Sequence, residues 1–135
     1  FHFFEELTKI PHGSRHTKAV SDWLAAFGRE RGLEVHQDAL NNVILVGPAS
    51  PGSEQAAPVI FQGHMDMVCV AKPGVDFDPL TSEIKLVREG NILHADGTSL
   101  GADDGIAVAL ALYLIQQDIQ HGPLRSSLRS MKKRA

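Results

Sequence analysis

Ten consecutive residues, from Ile106 to Ile115, contain no charged residue, no glycine and no proline, and most of them are alanine or leucine. This composition favours a helix, because Ala and Leu have high helix propensity and nothing interrupts the run. The run is much shorter than the roughly 18 apolar residues that a transmembrane helix needs, and no other stretch comes closer. The sequence therefore predicts a helix buried in a globular domain.

Strands and one further helix are predicted before this run. Apolar residues at 20, 23, 24 and 27 have helical spacing, and Gly32 ends the pattern. The predicted elements are a helix at 17–31, strands at 33–36 and 43–46, a strand at 58–63 buried on both faces, and a hairpin of 84–88 with 91–94. This order predicts an α/β fold, in which a mixed sheet carries helices on its faces.

The first candidate site follows the strand at 58–63. In extended backbone, residues i and i+2 point to the same side, so His64 and Asp66 project together and Met65 points away. The carboxylate can then orient the imidazole ring, whose other nitrogen stays available to a metal. A His-x-Asp sequence is common by chance, however, and taken alone it favours a structural histidine over a metal ligand.

The second candidate site begins the apolar helix. Asp103 and Asp104 precede Gly105 there, and Gly101 lies two residues before them. One aspartate is a usual helix cap and suits the positive end of the helix dipole. A second acidic residue, flanked by glycines that permit close backbone approach, is better explained by a bound cation.

The two motifs together resemble the M20 family of metallopeptidases, and most closely its aminoacyl-histidine dipeptidase (cytosolic non-specific dipeptidase) branch. The residues that carry the resemblance are Gly63-His64-Met65-Asp66-Met67-Val68 and the run from Gly97 to Ala107. Weaker similarity extends from Phe3 to Leu124. The resemblance implies the N-terminal part of a zinc-peptidase catalytic domain, incomplete in this chain.

The resemblance also assigns roles to particular residues. It implies that His64 binds one of two zinc ions, that Asp103 bridges both, and that Asp66 is the catalytic-site residue that orients His64. It implies a cis peptide bond between Asp103 and Asp104. His and Asp also accept Co²⁺ or Mn²⁺, so the metal itself stays open. The implied substrate is a dipeptide, and the family forms homodimers through a lid domain that this chain lacks.

The resemblance ends near Leu124, and we place a boundary there between residues 1–124 and a basic segment, 125–135. The family continues with an apolar strand and a Glu-Glu pair that supplies the general base and a metal ligand, whereas this segment has five basic residues and no acidic one. Read in a displaced frame, the codons of Met131, Lys132 and Lys133 can encode Glu-Glu. We therefore hypothesise a frameshifted, disordered segment; a natural basic terminus is the alternative.

Composition separates the remaining function classes. The chain has 13 Lys and Arg against 16 Asp and Glu, one cysteine, Cys69, and no basic-then-apolar signal pattern at its start. These features predict a cytoplasmic protein without disulfides and without a membrane partner. The basic segment is short and lacks aromatic residues, so nucleic-acid binding is disfavoured. Two interpretations remain: a zinc dipeptidase, or a non-catalytic fragment of one that is inactive alone.

Overall fold

The computed structural model describes residues 1–131, which form three helices and six strands. In chain order they are α1 His2–Thr8, α2 Lys18–Glu30, β1 Glu34–Gln37, β2 Val43–Gly47, β3 Val59–His64, β4 Leu86–Glu89, β5 Ile92–Ala95, α3 Ala102–Ile115 and β6 Leu124–Arg129. The predicted helix at 17–31, the strand pair around Asn41 and the hairpin across Gly90 are all confirmed. Among the described residues, no helix is long and apolar enough to span a membrane.

The main sheet has four strands in the order β1-β2-β6-β3. Strand β6 lies antiparallel to β2 and parallel to β3, while β4 and β5 form a separate hairpin. The predicted α/β fold with a mixed sheet is therefore confirmed. Because β6 lies between two other strands, both edges of its backbone take part in ladders, and the sheet depends on it.

The prediction of disorder from residue 125 onwards is wrong for the residues of β6. Leu124, Ser126 and Leu128 are buried and alternate with exposed Arg125 and Arg129, which is the period-two pattern of a strand with one face in the core. Backbone hydrogen bonds to β2 and β3 do not depend on side-chain identity, so a polar sequence can occupy this place. Residues 132–135 lie outside the described residues. They include Lys132 and Lys133, two of the three residues whose codons can encode Glu-Glu in the displaced frame.

One hydrophobic core joins the helices to the sheet. It contains residues from all three helices, from β2 and β6, and from the segment after β3: Phe3, Leu7, Val20, Leu24, Phe27, Val43, Leu45, Met65, Val108, Leu112 and Leu128. Successive residues of a strand point to opposite faces, and Ile44 and Ile60, which alternate with the core-facing positions, are exposed. Within residues 1–131, the helices thus pack on one face of the main sheet.

Two elements are less buried than the sequence predicts. Strand β3 lies at the edge of the sheet, and 44% of Val59 and 62% of Ile60 are exposed, so the prediction of burial on both faces is wrong. Helix α3 buries Val108 and Leu112 but leaves Ile106, Leu110 and Tyr113 about half exposed. An all-apolar helix can pack on one side only, because burial requires a neighbour that composition does not reveal.

Ser126 is a polar residue in a core position. Its side chain is 1% exposed, and its Oγ has no hydrogen-bond partner in the described part of the chain. It lines a cleft of about 270 Å³ together with Leu33, Leu45, Ile115 and Leu124. A buried hydroxyl without a partner opposes folding, because it loses its hydrogen bonds to water.

We expect Ser126→Val to raise the free energy of unfolding by about 1–2 kcal/mol, since it removes the unpaired hydroxyl and adds apolar surface beside a cleft. Urea denaturation measures this change. Ser127→Val is the matched control, because Ser127 is the next residue of β6, points to the opposite face and gains only strand propensity. Equal gains in the two variants would contradict the buried-hydroxyl explanation.

His12 is a buried histidine in the segment between α1 and α2. Its side chain is about 4% exposed, and its Nδ1 lies 2.5 Å from the backbone oxygen of Ile10. Burial lowers the pKa of His12 below its ordinary value, although the contact with Ile10 and the charge of Asp66 partly oppose the shift. The neutral imidazole therefore suits the folded state.

We expect the free energy of unfolding to decrease as pH falls below about 6.5, because the unfolded chain then binds a proton at His12 that the folded chain resists. Above that pH, His12 is neutral in both states and contributes no pH dependence. Thermal unfolding between pH 7.5 and 5.5 should show a weaker acid dependence in His12→Gln than in the wild type. His16→Gln, with an exposed side chain, is the control, and an equal effect there would refute the assignment.

Candidate metal centre

His64 and Asp66 lie where strand β3 ends. His64 is the last residue of β3, and its Nδ1 lies 3.1 Å from Asp66 Oδ1 and 3.0 Å from the backbone oxygen of Asp66. Both side chains are largely buried: the exposed fraction is 13% for His64 and 7% for Asp66. The structure therefore brings His64 and Asp66 together, through the ring nitrogen Nδ1.

Asp103 approaches the same ring from the other side. Its Oδ1 lies 3.1 Å from His64 Nε2, while 74% of its side chain is exposed. The two residues are 39 positions apart in sequence, so the fold of the chain creates this contact. The three candidate residues thus form one row, Asp66–His64–Asp103, with the imidazole between two carboxylates.

The start of α3 has the backbone that places Asp103 in this row. The peptide bond between Asp103 and Asp104 is cis, as predicted, and both residues depart from helical dihedral angles. The N-cap residue of α3 is Gly101, whose φ of 75° favours glycine; a Cβ there would come within 2.7 Å of Met67 Sδ. Neither aspartate is the N-cap residue, so simple helix capping does not explain the pair.

Asp104 has a different neighbour from Asp103. Its Oδ2 accepts a hydrogen bond from the backbone N–H of His64, at 3.3 Å. A Cβ at Gly63 would lie 3.1 Å from that oxygen and 3.2 Å from Ala107 Cβ, so glycine permits β3 and α3 to approach this closely. Asp104 consequently links the end of β3 to the start of α3, and Asp103 faces the imidazole.

The donors suit a zinc ion in type and in spacing. Zinc binds imidazole nitrogen and carboxylate oxygen at about 2.0–2.2 Å, so two ligands of one tetrahedral ion lie about 3.3 Å apart. The 3.1 Å between His64 Nε2 and Asp103 Oδ1 is close to that value. Within residues 1–131, no group of three or more His, Cys, Asp or Glu is placed to hold a metal ion.

Ser14 also contacts this row, although no sequence pattern predicted a role for it. Its Oγ donates a hydrogen bond of 2.5 Å to Asp66 Oδ2, on the side of the carboxylate away from His64. Fifty-two positions separate the two residues, and a serine after Pro11-His12-Gly13 matches no metal or catalytic pattern. Burial raises the pKa of the Cys69 thiol above its ordinary value, which disfavours the nucleophilic thiolate.

The chain is similar to known dipeptidases in sequence and in structure. It is 34% identical over 122 residues to the cytosol non-specific dipeptidase of Escherichia coli (strain K12), which corresponds to 90% of this chain and 25% of that protein. It matches the crystal structure of aminoacylhistidine dipeptidase from Vibrio alginolyticus with a TM-score of 0.93 and 34% identity, over 98% of this chain and 27% of that one. No protein-family model matches.

Two further structures share the fold. A tripeptidase from Staphylococcus aureus matches with a TM-score of 0.71 at 21% identity, over 94% of this chain and 34% of that one. Aminopeptidase PepT from Bacillus cereus matches with a TM-score of 0.68 at 25% identity, over 93% and 34%. The chain spans about a quarter of the curated dipeptidase. It belongs to the family of the aminoacylhistidine and cytosol non-specific dipeptidases, as its paired motifs indicated.

Proposed function

We propose that this chain is the N-terminal part of the catalytic domain of an M20-family zinc dipeptidase that acts in the cytoplasm. The observation that carries the proposal is the row Asp66–His64–Asp103, in which two contacts of 3.1 Å join residues from β3, the following loop and α3. The match to two dipeptidases, each at 34% identity, supports it independently.

Each residue of the row has a separate role in the proposal. Asp66 accepts a hydrogen bond from His64 Nδ1–H through its carboxylate and its backbone oxygen, which fixes the ring and leaves the Nε2 lone pair for a metal. His64 Nε2 and Asp103 Oδ1 are the metal donors, and Asp103 has the exposure that a second ion would need. Two zinc ions, or Co²⁺ or Mn²⁺ in their place, supply the Lewis acidity that makes a water molecule nucleophilic at neutral pH.

The same residues limit what the isolated chain can do. No glutamate follows Glu89 in the sequence, so the pair that supplies the general base in the family is missing after α3. His64 and Asp103 would hold a metal ion, and Asp66 is engaged with His64, so the row would offer no separate group to take a proton from an attacking water. We therefore propose a dipeptide substrate and a lid-mediated homodimer for the complete enzyme, and no catalysis by this chain alone.

We expect the chain to bind Co²⁺ or Zn²⁺ weakly, and His64→Ala and Asp103→Asn each to lower the affinity about tenfold or more, since each removes a donor. Isothermal titration measures the affinities. His36→Ala is the matched control, because His36 also lies two residues from a carboxylate, with Nε2 2.6 Å from Glu34 Oε1, on an exposed strand. Unchanged affinity in His64→Ala, or an equal loss in His36→Ala, would refute the assigned centre.

We also expect no metal-dependent hydrolysis of dipeptides by the isolated chain with added Zn²⁺ or Co²⁺. Loss of a general base alone lowers the rate of such reactions by about 10²–10⁴, and missing metal ligands lower it further. Release of free amino acids from a panel of dipeptides measures turnover. Hydrolysis that requires metal and disappears in His64→Ala would show that the chain is a working enzyme.

A further inference from the structure

We propose that Ser14 is a positioning residue, which orients the Asp66 carboxylate and through it the His64 imidazole. The inference rests on the proposed function, because it concerns the residue behind the metal-binding histidine. It extends the row by one member, to Ser14–Asp66–His64–Asp103, and adds the segment between α1 and α2 to a site otherwise built from β3, its following loop and α3.

The Ser14 hydroxyl has one proton and two acceptors within reach. Asp66 Oδ2 lies 2.5 Å from Ser14 Oγ, whereas the backbone oxygen of Met67 lies 3.3 Å away. A carboxylate attracts a donor more strongly than a neutral carbonyl does, and such charge-assisted bonds are the shorter ones. Distance and charge therefore agree, and the proton of the hydroxyl points to Asp66.

Backbone contacts hold Ser14 at this place whatever its side chain. The N–H of Ser14 donates to the oxygen of Met67 at 2.9 Å, and the N–H of Met67 donates to the oxygen of His12 at 3.1 Å. Gly13 and Met67 form a parallel bridge between the same two segments. Replacing the serine by alanine therefore removes the hydroxyl while the backbone pairing that places residue 14 is retained.

The two oxygens of Asp66 are directed to two different partners. Oδ2 receives the Ser14 hydroxyl, and Oδ1 lies 3.1 Å from His64 Nδ1. A carboxylate that makes hydrogen bonds through both oxygens has little freedom to rotate about its Cβ–Cγ bond. The carboxylate in turn restricts the orientation of the His64 ring that it contacts. The Asp66 side chain is 7% exposed, whereas Ser14 lies at the surface, and its hydroxyl covers one oxygen of that carboxylate.

The test compares Ser14→Ala with Ser14→Thr, which retains the hydroxyl, in the full chain. We expect Ser14→Ala to weaken Co²⁺ binding about tenfold, as loss of a group behind a metal ligand does, and Ser14→Thr to restore it. A second readout needs no metal: long-range ¹⁵N–¹H spectra of the imidazole, with the His64 signals assigned by His64→Gln. Ser14→Ala should shift the His64 ring-nitrogen signals, and Ser14→Thr should resemble the wild type.

The outcomes separate this proposal from the function on which it rests. If His64→Ala weakens Co²⁺ binding while Ser14→Ala changes neither the affinity nor the ring-nitrogen signals, Ser14 has no positioning role and the metal centre stands. If Ser14→Ala shifts the ring signals and His64→Ala leaves Co²⁺ binding unchanged, Ser14 orients the pair but the metal centre fails. A shift of equal size in Ser14→Thr would overturn the assignment of the effect to the hydroxyl.

Discussion

The candidate centre depends on the close approach between the end of β3 and the start of α3. Gly63 permits it, because a side chain there would meet Asp104 Oδ2 at 3.1 Å and Ala107 Cβ at 3.2 Å. Asp104 then accepts a hydrogen bond from the backbone N–H of His64, and the carboxylate of Asp103 contacts the His64 imidazole. A larger residue at 63 would separate strand and helix by a few tenths of an ångström or more, which metal ligation at fixed bond lengths tolerates poorly.

Local sequence patterns predicted the parts of this arrangement that depend on local geometry. The i, i+2 spacing of His64 and Asp66 places them together in any extended chain, and the hairpin across Gly90 follows from its turn and flanking apolar residues. The meeting of His64 with Asp103 came from the family resemblance, because spacing alone does not bring residues 39 apart into contact. Ser14 and buried His12 were missed for the same reason, since their neighbours come from distant segments.

Burial was the property that the sequence predicted least well. Strand β3 and helix α3 are both rich in apolar residues, yet Ile60, Ile106 and Leu110 are each more than half exposed. Strand β6 shows the converse, since a segment with two arginines and two serines lies in the middle of the sheet. Composition indicates which secondary structure a segment favours and how apolar it is. The position of a strand within a sheet depends instead on which other strands offer hydrogen-bond partners.

The position of β6 gives the frameshift hypothesis a physical argument. A strand between two neighbours in a mixed sheet is usually apolar on at least its core face, yet Ser126 is there with an unpaired hydroxyl. The displaced reading can place phenylalanine at position 126, phenylalanine or leucine at 127, threonine at 128, and isoleucine or valine at 129. All of these residue types favour strands, so the displaced reading suits a central strand better than the present Arg-Ser-Ser sequence does. It can also place aspartate at 130 and glutamate at 131 and 132, in the residues that follow β6 in the sequence. The nucleotide sequence of these codons decides between the two readings, and any lysine codon other than AAG at Lys132 excludes the displaced one.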